Sequence, residues 1–140
     1  MGLIRKSPTH AIFKDLAQKR FQEAQILLNS LEYSGAYYLS GYAVEFALKA
    51  CYCKGVSKHS FPDKEIVKKL YSHILNELLM VSNIKSAFDA EVKSNIQLQT
   101  CWEVTKDWSE KSRYQVIKKS DAESMVQSVE IVLNWIKTLW

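Results

Sequence analysis

The chain has 140 residues, 47% of them hydrophobic and 24% charged, with 19 basic against 15 acidic side chains for a net charge of +4. That length and balance describe one globular domain over residues 1–140 with a core of its own. They exclude a disordered chain, and so modest a positive bias argues against a dedicated non-specific DNA binder.

Four glycines and two prolines leave few breakers, which favours long helices over a many-stranded sheet. The first helix is expected from about Thr9 to Leu31, where Phe13, Leu16, Ala17, Ala24, Leu27, Leu28 and Leu31 recur at steps of three and four. Pro8 suits its start. The second runs from about Ser34 to Lys54, with Ser34 as N-cap and Gly55 as the residue past its end. It is apolar nearly all round, which predicts the central, most buried helix. A loop, "VSKHSFP", precedes a short piece, "DKEIVKKLY".

A third main helix, "SHILNELLMV", begins near Ser72, and a fourth runs from about Ile84 to Thr105. The charged stretch "KDWSEKSRYQVIKK" breaks the period and reads as a connection. The last helix runs from Ser120 to the C-terminus, opened by a Ser120–Glu123 capping box. Met125, Val129, Val132, Ile136 and Leu139 form its core stripe. Ile131 and Trp135 lie off it, and with Trp140 they suggest a second buried side and a homodimer. The fold class is all-α, a four- to five-helix up-and-down antiparallel bundle.

Familiar enzyme signatures are missing. There is no phosphate-binding glycine loop, no G-x-S-x-G and no H-E-x-x-H. Cys51, Cys53 and Cys101 cannot all pair within one chain, and the C-x-C spacing has no second pair to complete a metal site. Reduced thiols, no metal and no cofactor are expected. "MGLIRKSPTH" lacks an apolar leader segment, and no run approaches the ~20 apolar residues of a membrane span. A cytoplasmic protein without membrane contact is the expectation.

Three polar features stand in odd places. Glu45 and Lys49, spaced i, i+4 on the apolar second helix, are either a simple pair on a thin exposed stripe or a buried carboxylate that needs a cation from elsewhere. In "DWSEKSRYQ", Trp108, Arg113 and Tyr114 can stack and still present a guanidinium to carboxylate or phosphate, or they can anchor the connection to the bundle. His73, one residue into the expected third helix, is a capping or packing residue or a catalytic one.

Together these segments resemble a HEPN domain (higher eukaryotes and prokaryotes nucleotide-binding). "AYYLSGYAVEFALKACYCKG" resembles the family's second helix with its Gly-Tyr-Ala-x-Glu-x-x-Leu-Lys-Ala pattern, "YSHILNELL" its His-x-Leu-x-x-Leu segment, and "DWSEKSRYQ" the Trp and Arg-Tyr stretch before the last helix. The likeness spans about Lys14 to Ile136. It implies a helical bundle, usually dimeric. Many members are metal-independent ribonucleases with an Arg, four to six residues, then His, paired across a dimer cleft. Others partner a minimal nucleotidyltransferase in toxin–antitoxin pairs, or act as binding modules.

The chain departs from the nuclease pattern. After Arg113, the positions for His hold Lys118, Lys119 and Ser120. Lysine, with an unperturbed pKa of about 10.4, is a poor general base near neutrality but can hold a phosphate. Arg5 and His10 match the spacing but precede the first helix. The resemblance implies a nucleotide-, RNA- or partner-binding protein using Glu45, Lys49, Trp108, Arg113 and Lys119. The alternatives are a variant ribonuclease using Arg113, Tyr114, Lys118 and His73, and a structural helical module. Glu45 is expected to bridge to Arg113 across the bundle.

Overall fold

The structure, a computed structural model, describes residues 8–56 and 63–140. Thr9 opens the first helix: its hydroxyl accepts from the Ile12 amide at 3.2 Å, satisfying one of the orphan donors at a helix start. α1 then spans His10–Asn29. Leu31, expected on its stripe, lies past the end in the left-handed region at φ 64° and is 66% exposed.

α2 spans Tyr33–Gly55 and folds back on α1 across residues 30–32. The expected cap does not form. Glu32 holds the cap position without a side-chain bond, and Ser34 lies inside the helix. The Ser34 hydroxyl instead accepts from the Ile117 amide at 2.9 Å, fastening the late connection to the start of α2. Gly55 is the last helical residue, and a Cβ there would overlap the Asn83 side chain, so close packing is what demands glycine.

Four short helices follow: α3 Lys64–Leu70, α4 Leu75–Val81, α5 Lys85–Glu91 and α6 Ile96–Thr105. α4 starts later than the periodicity suggests, because the Ser72 hydroxyl accepts from the Ile74 amide at 3.0 Å and holds Ser72 and His73 in a turn. The single helix expected over Ile84–Thr105 is divided. Asn95 accepts from the Leu98 amide at 3.0 Å and donates to the Glu91 carboxylate at 3.1 Å, capping a fresh helix where a continuous one would have run.

The connection that follows contains a 3₁₀ turn over Glu110–Tyr114. α7 spans Lys119–Lys137, one residue earlier than expected, so the Ser120–Glu123 capping box falls inside the helix and makes no cap. Its stripe of Met125, Val129, Val132 and Ile136 is buried as expected. Two of the three off-stripe residues, Trp135 and Trp140, find partners within the chain. Trp135 meets Phe88 edge-on at 5.7 Å, and Trp140 lies beneath the ammonium groups of Lys14 and Lys137 at 5.4 and 5.9 Å.

The described residues form seven α-helices and no strand, an all-α bundle as expected but more divided along the chain. α2 is its axis, packed by α1 on one side and α7 on another, with α6 against α7. Leu48, Leu75, Leu78, Leu98, Met125 and Leu133, drawn from α2, α4, α6 and α7, are nearly or fully buried. Removing that much apolar surface from water is the main stabilising term. No helix of the described residues is long and apolar enough to cross a membrane. One residue of the core set is out of character. Glu45 is 1% exposed.

Candidate functional site

A carboxylate that deep must be compensated or it destabilises the fold. Lys49, one turn along α2, reaches Glu45 Oε2 at 3.4 Å. The shorter contact comes from the turn before α4, where His73 Nδ1 meets Glu45 Oε1 at 2.7 Å. The other ring nitrogen, Nε2, lies 3.0 Å from an oxygen of Glu110, the first residue of the 3₁₀ turn. His73 is thus held between a buried and a part-exposed carboxylate.

An ionised carboxylate only accepts, so each of these N···O contacts needs a proton between its atoms. A neutral imidazole carries one. Which nitrogen donates depends on the tautomer, and only a ring carrying a proton on both nitrogens donates to both carboxylates.

Aromatic rings frame the cluster. The connection is anchored by Trp108, 3% exposed, whose indole N–H donates to the Tyr38 carbonyl at 3.2 Å. Its ring lies against Gly41, where a Cβ would overlap the indole. It meets Tyr42 edge-on at 4.9 Å, and Tyr42 in turn faces His73 at 6.1 Å. Along α2 the rings of Tyr38, Tyr42 and Phe46 follow at i, i+4 spacing, with centroids 5.1 and 5.9 Å apart, and Phe13 of α1 extends the file at 6.1 Å. Burial, then the neighbouring Tyr38 hydroxyl, pushes the Tyr42 phenol well above the usual tyrosine range, so it stays protonated.

Two hollows meet at His73. One of about 610 Å³ lies between α1, α2 and α3, with Phe13, Tyr42 and Phe46 on its walls and Glu45 and Lys49 at its polar end. The other, about 290 Å³, is bounded by Ile74, Trp108, Ser109 and Glu110. The larger is in the range of small-ligand sites, apolar with a few converging polar groups.

The expected Glu45–Arg113 bridge is not made. Arg113 is exposed, with its guanidinium 4.8 Å from the centroid of the Tyr114 ring. Tyr114, then Tyr38, pushes the Arg113 pKa further up, so its charge is permanent. The closest partner of Glu45 is His73, which lies before α4 rather than inside it. Of the residues singled out from sequence, Glu45, Lys49, His73 and Trp108 come together. Arg113 and Tyr114 lie on the exposed part of the same 3₁₀ turn that supplies Glu110. Lys118 and Lys119 are exposed at the start of α7, and Lys119 borders a separate hollow with Leu28 and Tyr33. His10 opens α1, and Arg5 lies outside the described residues.

Sequence reasoning missed Glu110. It stands three positions before Arg113 in the stretch that drew attention, and no local period marks it as facing inward. The cysteines are unpaired; burial pushes the Cys51 thiol up to about 11 and raises Cys53 as well.

The family model described as HEPN domain matches residues 12–139, nearly the whole chain. No curated protein and no solved structure gives a match.

Proposed function

This chain belongs to the HEPN domain family, and from that premise we propose that it binds a nucleotide or RNA at the cluster around His73. The carrying observation is the placement of His73, a carboxylate-held imidazole that forms the shared wall of an aromatic hollow and a smaller polar one. Aromatic side chains stack on bases, and the ring N–H of a positioned imidazole donates to a phosphate oxygen. Trp108 holds the connection, and Lys49 and Arg113 supply further positive charge.

A ligand that binds only the folded state raises its stability, by about 2.7 kcal/mol at a hundredfold excess over Kd. Thermal melts of the purified chain with mononucleotides and with short single-stranded RNA test the reading. An upward shift with at least one of them is expected. No shift with any would leave the structural-module reading.

A metal-independent endoribonuclease is the second reading. An imidazole with its far nitrogen fixed by a buried acid has the arrangement used in general acid–base chemistry. Cleavage of RNA in EDTA, abolished in His73→Ala and not merely in Arg113→Ala, would favour it. A homodimer, or pairing with a minimal nucleotidyltransferase as in a toxin–antitoxin pair, belongs to the same proposal. Support comes from Tyr114 and Val116, 77% and 97% exposed beside Arg113, apolar surface that a second chain would cover. Sedimentation at micromolar concentration, alone and with a candidate partner, tests that part.

A further inference from the structure

We infer that the Nε2 side of His73 is a phosphate position and that Glu110 occupies it as an internal anion. The inference rests on the nucleotide or RNA reading above and names where the phosphate lies and what competes for it.

The geometry separates the two nitrogens of the ring. Nδ1 is committed to Glu45 at 2.7 Å, and Glu45 is 1% exposed, so that contact cannot open to a ligand without uncovering the core. Nε2 is the nitrogen left to the outside. Its acceptor, Glu110, is of a different kind. The side chain is 36% exposed, it stands on a 3₁₀ turn rather than a core helix, and among the described residues His73 is its only ion-pair partner. A carboxylate oxygen 3.0 Å from Nε2 stands where a phosphate oxygen would stand, an anionic acceptor of the same charge sign.

The surroundings fit a phosphate that joins two nucleosides. The larger hollow, about 610 Å³, is lined by the rings of Phe13, Tyr42 and Phe46 and has the volume for an unpaired base, and the smaller one lies on the other side of His73. A phosphodiester linking the occupants of the two crosses at the imidazole. Bound there, it displaces Glu110 from Nε2 and leaves the Glu45 contact intact. Glu110 therefore weakens binding by occupying the position and by repelling a second anion, and a neutral residue in its place removes both effects.

The test uses the full chain and a labelled short single-stranded oligoribonucleotide, read by fluorescence anisotropy. Glu110→Gln is expected to bind it roughly two- to fivefold tighter than the unsubstituted chain, the size of one ion pair at a part-exposed position. His73→Gln is expected to bind more weakly, and adding Glu110→Gln to it should bring no gain. A role for Glu110 that is only structural would leave binding equal or weaker. If Glu110→Gln does not fold, Glu110→Ala serves the same comparison.

Binding by the unsubstituted chain with no gain in the Glu110 variant overturns this inference and leaves the reading of function standing. A gain that survives in the His73 background overturns it too, since the anion would then lie elsewhere. No binding by any variant overturns both. Competition by a mononucleotide as strong as that of the oligonucleotide would refute the crossing phosphodiester, because a single hollow would then account for the affinity.

Discussion

Glu45 and His73 stand 28 positions apart and meet at 2.7 Å, one of them 1% exposed and the other in a turn between two short helices. This contact, with Lys49 at 3.4 Å, compensates the carboxylate that α2 carries into the core. His73→Ala should cost about 2–3 kcal/mol, below the full cost of a stranded buried charge because Lys49 remains. For a chain of this size that is roughly 6–10 °C in melting temperature. Glu45→Gln should cost a similar amount. The double variant should lose less than the two singles together, by about 1 kcal/mol or more. Arg113→Ala, at an exposed position, should stay within about 0.5 kcal/mol. Urea titrations of the four variants check this, and additive losses from Glu45 and His73 would contradict the coupling.

Gly41→Ala sets two effects against each other. Alanine in a helix interior is favoured over glycine by about 1 kcal/mol. The added methyl would overlap the Trp108 indole, which is held by its bond to the Tyr38 carbonyl. Overpacking of this kind costs about 1–3 kcal/mol, so a net loss is expected. Tryptophan fluorescence should also report a displaced Trp108. A variant as stable as the starting chain, with unchanged fluorescence, would show that the connection yields freely.

Cys51 makes stability depend on alkaline pH. Its thiol is raised by burial from about 9 to about 11. Between those values the unfolded chain gives up this proton while the folded chain keeps it. The contribution is therefore fully present below pH 9 and is lost as pH rises through 11. Tyr42, raised by burial, acts in the same direction. Stability should be level in this respect up to about pH 9 and fall above it, less steeply in Cys51→Ala. At pH 8 only roughly one Cys51 thiol in a thousand is ionised, so a thiol reagent should modify it far more slowly in native protein than in urea.

Asn95 divides two helices that the hydrophobic pattern would join. Asn95→Ala removes the cap on the Leu98 amide and the bond to Glu91, and should cost about 1 kcal/mol. Circular dichroism measures both the loss and any added helix. A rise in helix content with no loss of stability would mean that packing, not the cap, sets the break.

The sequence by itself determined the helical class, the order of the long helices and the burial of α2, because amphipathic period and scarcity of breakers are local properties summed over many residues. It also marked Glu45 as anomalous and placed Lys49 one turn away, since i, i+4 neighbours follow from helix geometry alone. Tertiary structure decided the rest. The division of α5 from α6 turned on one asparagine side chain competing with the helix backbone, an effect smaller than the apolar pattern around it. The closest partner of Glu45 was a choice among residues distant in sequence, and nothing in the local pattern separates His73 from Arg113. The packing of α4 beside α2 brings the first to the carboxylate, while the 3₁₀ turn leaves the second in water and turns Glu110 to His73 instead. An irregular connection has no period from which its inward side can be read, so the part of the site it supplies becomes visible only once Trp108 is seated against Gly41.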